Sequence, residues 1–251
     1  MESQTAIVLF NLGGPDDLAS VEPFLVNLFR DREIIQLPGG AILQPLMARL
    51  IAKMRGPSVR ENYRRIGGGS PQLRITRDQA RALETRLNAG ARGSHTYRVF
   101  IAMRYTRPSA EDALTAIAAA GIRRIVTLTL FPHWSKATTG SSRNAFDRAL
   151  AGPGGPSVRF DVTHIEHYAD NPLYLDAMAA TVRGAWDGIA QERRARTVLL
   201  FSAHGLPQRF IDEGDPYVEH INRTRSGVLG RGRASSRASR RARRLSHLRP
   251  Q

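Results

Sequence analysis

The chain has 251 residues, no cysteine, 41% hydrophobic residues and a formal charge of +15 at pH 7. That length is enough to bury a sizeable core in one large or two modest α/β units. The lack of cysteine excludes a disulfide framework, a thiolate zinc site and a cysteine-ligated iron–sulfur cluster. No apolar run approaches the roughly 20 residues of a membrane span. The start, Met1-Glu-Ser-Gln-Thr5, has neither a basic n-region nor a long apolar h-region, so a soluble cytoplasmic protein is expected. Ten arginines and no acidic residue lie between Arg223 and Gln251, which leaves +5 for residues 1–222. The excess charge is mostly a tail, so specific nucleic-acid binding is not expected of the folded part.

In chain order, Ala6 to Phe10 reads as a strand that breaks at Asn11-Leu-Gly-Gly-Pro15, a turn that lets backbone come close to a ligand. Aliphatic residues at three- and four-residue spacing predict helices over Val21 to Phe29 and Ala41 to Met54, the second stopped near Gly56-Pro57. Ser70-Pro71 opens a helix to about Ala89. A strand over Thr96 to Met103 precedes a capping box, Ser109 with Asp112, and a helix ending at Gly121. Ile125 to Leu130 is the next strand, and a helix through Leu150 ends at the break Gly152-Pro-Gly-Gly-Pro156, the expected domain boundary. Ser157 to Ile165 reads as a strand, Asn171-Pro172 caps a helix to about Ala190, and Thr197 to Ser202 reads as the last strand. Strand–helix alternation implies α/β architecture with parallel, doubly wound sheets, as two similar units.

Polar groups fall just past three of these strands: Arg104-Tyr105, His133-Trp134 and His204. In open α/β sheets that edge is where ligands bind. From position alone His204 serves equally well as a polar residue closing a strand. Ile66-Gly-Gly-Gly-Ser70 before a helix could offer backbone N–H groups and the Ser70 hydroxyl to an anion. It lacks the Gly-Lys-Ser/Thr ending of a P-loop, and a turn with a helix cap explains it as well. Arg55, Tyr63, Arg64 and Arg65 lie close by. Arginines suit carboxylates through bidentate bonds, so a carboxylated ligand fits better than a nucleotide.

Six segments in order resemble the ferrochelatase family: Asn11-Leu-Gly-Gly-Pro15, Tyr63-Arg-Arg-Ile-Gly-Gly-Gly-Ser-Pro71, Met103-Arg-Tyr105, Ser135-Lys-Ala-Thr-Thr-Gly-Ser141, Phe201-Ser-Ala-His-Gly-Leu-Pro207 and Gly214-Asp-Pro-Tyr217. The resemblance covers nearly all of Thr5 to Tyr217. It implies two Rossmann-like, chelatase-type domains and insertion of ferrous iron into protoporphyrin IX to give protohaem. Iron is a substrate in that reaction, and no prosthetic group is expected. His204 matches the family's active-site histidine, with a role in metal binding or in accepting pyrrole protons. Leu12 matches a position facing the metal, where a leucine cannot be an axial ligand. Arg55, Tyr63, Ser70, Arg104 and Tyr105 match positions around the porphyrin and its propionates, and Trp134 matches an aromatic wall. A related cobalt or nickel chelatase, a non-catalytic porphyrin binder and a peripheral membrane contact are compatible with the same residues, and the oligomeric state is left open.

After Tyr217 the resemblance is expected to end. The family's Gln-Ser-x-x-Gly segment, Trp-Leu pair, further strand and acidic loop are missing, and the arginine–serine–alanine composition resembles GC-rich DNA read in a wrong frame. The expected organisation is a first domain over residues 1–155, a partial second domain over 156–222 and a disordered tail over 223–251 that results from frameshift or truncation. Loss of the acidic segment implies weak activity.

Overall fold

A computed structural model describes residues 4–91, 95–152 and 158–233. Its backbone divides into two compact units, Met1–Phe131 with Ser135–Glu166 and Pro132–Trp134 with His167–Gln251.

The first unit is an α/β sandwich on a four-stranded, all-parallel sheet of order β2-β1-β3-β4. Strand β1 (Gln4–Asn11) pairs with β2 (Thr96–Met103) on one side and β3 (Arg124–Thr129) on the other, and β3 pairs with β4 (Asp161–Ile165). Seven of the eight β1 residues are buried, as a central parallel strand with both faces covered requires. Period-two alternation sends Ala6, Val8 and Phe10 to one face, where they meet Ala113, Leu114 and Ile117 of α4 (Ala110–Ala119) and Phe146 of α5 (Ser141–Ala151). Ile7 and Leu9 go to the other face, against Ala80, Leu83 and Leu87 of α3 (Gln72–Ala89). The capping box at α4 forms as the sequence predicts: Ser109 Oγ accepts from Asp112 N at 3.3 Å, and the Asp112 carboxylate accepts from Ser109 N at 2.8 Å. Outside the sandwich, Val21, Leu25 and Phe29 of α1 (Val21–Arg30) pack on Ala48 and Ala52 of α2 (Gly40–Arg65).

Two expectations for this unit change. Helix α2 runs through Gly56-Pro57 to Arg65 instead of stopping there. Proline removes one backbone donor, but Arg60, one turn later, donates to Leu18 O at 3.2 Å and pairs with Glu22 at 3.1 Å, holding the second half of the helix against the α1 region. The strand expected to open a second domain is β4 of the first sheet, in register with β3 from Arg124↔Asp161 to Leu128↔Ile165. The boundary therefore falls after Glu166 and not at 155/156. Most of the predicted break, residues 153–157, lies outside the described residues.

The second unit contains α6 (Pro172–Asp187), the short α7 (Gln191–Arg194) and α8 (Gln208–Asp212), and α9 (Tyr217–Arg233). Asn171 caps α6 as expected, accepting from Leu173 N at 3.0 Å with Pro172 in the first turn. The core is Leu175 and Ala179 of α6 against Val228 of α9, with Phe201 packed beside them. The strand expected over Thr197 to Ser202 is not formed: the segment is irregular, and Val198 and Leu200 are 67% and 76% exposed. Among its described residues this unit has no strand to pair with, and a lone β-forming sequence cannot satisfy its own backbone.

Residues 223–233 also depart from expectation, because they form the second half of α9 and not a tail. Four-residue spacing puts His220, Thr224 and Val228 on one buried face. Thr224 Oγ1 donates to Ala169 O at 2.6 Å, Arg223 pairs with Asp170 at 3.2 Å, and Arg231 pairs with Asp176. At Gly227 a Cβ would lie 2.5 Å from Leu175 Cδ1, so glycine is what lets the two helices approach. Residues 234–251, the remainder of the expected tail, lie outside the described residues.

Candidate active site

In the first unit the candidate groups gather past the carboxyl ends of β1 and β2. Asn11 closes β1: its Oδ1 accepts from Leu12 N and Gln72 Nε2, both at 2.9 Å, and its Nδ2 donates to Thr76 Oγ1 at 3.0 Å. Leu12 is partly buried, and its carbonyl accepts from Tyr105 N at 2.9 Å, which ties the first turn to the second.

The glycines here serve close contact within the chain. Gly13 has φ +81°, and a Cβ on it would lie 2.1 Å from Thr106 Oγ1. A Cβ on Gly14 would lie 2.6 Å from Ser70 Oγ, and one on Gly69 would lie 2.1 Å from Asp16 O. The loops around residues 13–16 and 66–70 interlock. Ser70 N donates to Pro15 O at 2.7 Å, Gly68 N to Tyr63 O at 2.8 Å and Gly67 N to Arg64 O at 3.3 Å, while Ser70 Oγ accepts from Gln72 N at 3.3 Å. The sequence allowed an anion cradle at Ile66 to Ser70. The structure puts these donors to internal use, which is the turn-and-cap alternative. Tyr63 is half-buried, and burial pushes its phenol pKa up.

Arg104 and Tyr105 converge on a residue that sequence reasoning missed, Asp31. Its side chain is 3% exposed, and one oxygen, Oδ2, accepts from Arg104 Nη2 at 2.7 Å, Tyr105 Oη at 2.8 Å and Ser141 Oγ at 2.7 Å. Ser141 Oγ in turn accepts from Arg104 Nε at 2.7 Å. Tyr105 is almost fully buried, and its phenol pKa is pushed well above the ordinary range, first by burial and then by the Asp31 charge. The Tyr105 hydroxyl is therefore engaged by Asp31. Removing one member of a buried ion pair of this kind costs about 3–5 kcal/mol, because the other charge is left without a partner. The sequence carries little signal for Asp31, since an aspartate after a helix and before a polar loop reads as ordinary surface.

Two concavities open on this unit. One, of about 710 Å³, lies between α1 and α2 and combines Pro23, Val26, Leu46 and Leu50 with Arg49 and Lys53. Along α2, Ile42, Leu46, Leu50 and Met54 form a stripe of four-residue spacing that is 88%, 64%, 58% and 72% exposed. Sequence periodicity found this helix but could not say that one of its apolar stripes has no cover. Arg55 is exposed, with its guanidinium 6.0 Å from the Phe29 ring centroid. A second concavity, of about 400 Å³, is lined by Arg30, Arg104, Arg107 and Asn27 together with Asp31, Tyr105 and Thr106.

The second unit holds His204 and Trp134. His204 is exposed on the irregular segment, and its backbone hydrogen-bonds the Tyr217 hydroxyl, which partly offsets the upward push of burial on that phenol. Among the described residues no group of three His, Asp or Glu side chains is placed to hold a metal ion. Trp134 N donates to His220 Nδ1 at 3.1 Å, which fixes a neutral imidazole at His220 with its proton on Nε2. Because Thr224 gives its proton to Ala169 O, its oxygen accepts from His133 Nε2 at 2.9 Å. Burial lowers the pKa of His133, with the charge of His220 adding to it. Burial also lowers that of His220, helped by His167 and Arg223 and opposed by Glu219 and Asp170.

An all-parallel sheet covered by helices on both faces defines an α/β protein of the doubly wound class. The ferrochelatase family model matches residues 4–239. Similar curated proteins are the ferrochelatases of Geotalea daltonii, 49% identical over 232 residues, and Geotalea uraniireducens, 47% identical, each match covering 92% of this chain and 69% of the relative. The ferrochelatase of Aquifex aeolicus is 41% identical over 87% of this chain and 65% of its own length. The chain belongs to the ferrochelatase family. The family match continues past Tyr217 through α9, further than the six motifs alone reach.

Proposed function

We propose that this chain binds protoporphyrin IX and inserts Fe(II) into it, giving protohaem and releasing the two pyrrole protons. Membership of the ferrochelatase family over residues 4–239 is the observation that carries the reading. The first unit supports it physically. Protoporphyrin is a flat apolar ring with two carboxylates, and the α1–α2 concavity joins apolar walls to the cations Arg49 and Lys53. Arg55 stands exposed near it on the same helix for a propionate. Leu12, with no lone pair, shapes the first unit's site without ligating metal, and on the second unit Trp134 offers a flat aromatic face. Tyr63 and Ser70 hold the loops beside the site, and Tyr105 acts from inside through Asp31.

His204 is the group we assign to metal delivery or proton acceptance. An imidazole does either near neutral pH, and as the metal enters, each pyrrole N–H gives up a proton to a base. The proposal includes a peripheral contact with a lipid surface through the start of α2, where Ile42 and Leu43 are exposed outside that concavity. Anaerobic incubation of the full chain with protoporphyrin IX and Fe(II), followed by the Soret and visible bands, tests the central reading. Metalation above the protein-free rate, lost in His204→Ala while porphyrin binding is kept, is the expected result. Metalation no faster than without protein, or a His204→Ala variant as fast as wild type, overturns the assignment.

A further inference from the structure

We infer that Tyr217 is the positioning residue for His204: its phenol oxygen, carried on the first turn of α9, holds the backbone from which the imidazole extends. The inference rests on the assignment of His204 to metal delivery or proton acceptance and adds the group that aims it. His204 is exposed on an irregular segment, so regular secondary structure does not fix its direction. A base must keep its nitrogen within hydrogen-bond reach of the proton it takes, and an untethered loop does not ensure that. The His204 backbone N–H donates to the Tyr217 oxygen, and this bond holds the phenol's pKa down against the upward push of burial.

Tyr217 itself stands on a fixed base. Phe210, 1% exposed, anchors α8 in the unit. Gly214, at φ +90°, turns the chain, and Asp215 N donates to Phe210 O at 2.9 Å. The Asp215 carboxylate then accepts from Tyr217 N at 3.0 Å, and His220 N donates to Pro216 O at 2.9 Å, which starts α9. The half-buried phenol ring meets the His133 ring edge to face, with centroids 6.0 Å apart and planes at 88°. His133 is held in turn by Thr224, which donates to Ala169 O. A line of contacts therefore runs from the body of the second unit through His133 and Tyr217 to His204. The ring contact sets the direction of the phenol, and the oxygen makes the last link.

Tyr217→Phe keeps the ring and deletes the oxygen. Amide exchange of the full chain, read residue by residue by NMR and corrected for intrinsic rates, measures the tether without any substrate. In wild type the His204 amide is expected to exchange about fivefold more slowly than those of Ala203 and Gly205. In Tyr217→Phe it is expected to reach their rate while exchange in α9 is unchanged. Metalation kinetics with Fe(II) and protoporphyrin IX read the consequence. There kcat is expected to fall about tenfold with KM for the porphyrin unchanged, which is the mark of lost aim rather than lost binding. A purely structural defect would instead speed exchange across α9 and move both constants. A His204 amide no slower than its neighbours in wild type overturns the tether, and this result needs neither activity nor a folded variant. An unchanged kcat in Tyr217→Phe overturns the positioning role. Wild type that protects the His204 amide but does not metalate overturns the assignment of His204 itself, and the positioning role falls with it.

Discussion

Two segments with nearly the same sequence character end in opposite states. Ala6 to Phe10 and Thr197 to Ser202 are both short aliphatic and β-branched runs that break at glycine or proline. The first is the central strand of a four-stranded sheet, hydrogen-bonded on both sides and buried on both faces. The second is irregular and largely exposed, held by hydrogen bonds of Thr197 to Arg193 O and Arg194 O and where Phe201 touches the α6–α9 core. The difference lies in the partners: β propensity measures how well a segment fits a pleated, covered surface, and it does not supply that surface.

The strongest way to break this comparison is to put a charge into each segment. Val8→Asp places a carboxylate at a fully buried position between two helical layers and is expected to cost about 5 kcal/mol or more, enough to unfold the first unit. Leu200→Asp, at a position 76% exposed, is expected to change stability by less than about 0.5 kcal/mol. Urea unfolding followed by circular dichroism reads both. A large loss in Leu200→Asp would show that the segment is packed after all.

A smaller and local effect sharpens the contrast between the two units. Where the first unit is held by apolar layers, the second also rests on His133 and His220, which anchor Thr224 and Trp134. The pKa values of both are held below the ordinary 6.5, mainly by burial, with His167 and Arg223 adding to the effect at His220 while Glu219 and Asp170 oppose it. A lowered folded-state value means that the neutral form belongs to the folded state. Their contribution is therefore complete above about 6.5 and is lost as pH falls from there through the folded-state values. Amide exchange in α9, corrected for its intrinsic rate, should accelerate relative to β1 between about pH 7.5 and about pH 5.5. His220→Asn, which keeps an acceptor for Trp134 N and removes the titration, should flatten that trend. An unchanged trend in a variant lacking both His133 and His220 would contradict it.

What the sequence made legible was whatever local chemistry decides alone. The Ser109 capping box, the Asn171 cap and the three strands β1 to β3 form where composition and spacing put them. What it hid depended on distant partners. Helix α2 passes Pro57 because Arg60 reaches Glu22, and β4 joins the first sheet because β3 offers a free edge in register. Residues 223–233 looked like tail because arginine dominates their composition, yet Thr224 and Val228 at four-residue spacing are what bury the helix. In the candidate site the order of motifs revealed the family, whereas Asp31, which engages Arg104 and Tyr105, carries no motif by itself.

Hydrogen–deuterium exchange across the full chain tests the central contrast most directly. The amides of Ala6 to Phe10 should exchange only on global unfolding, and those of Val198 to Phe201 should exchange at close to the rate of an unstructured peptide. Slow exchange across Val198 to Phe201 would mean that this segment has a strand partner, and the contrast between the two segments would fall.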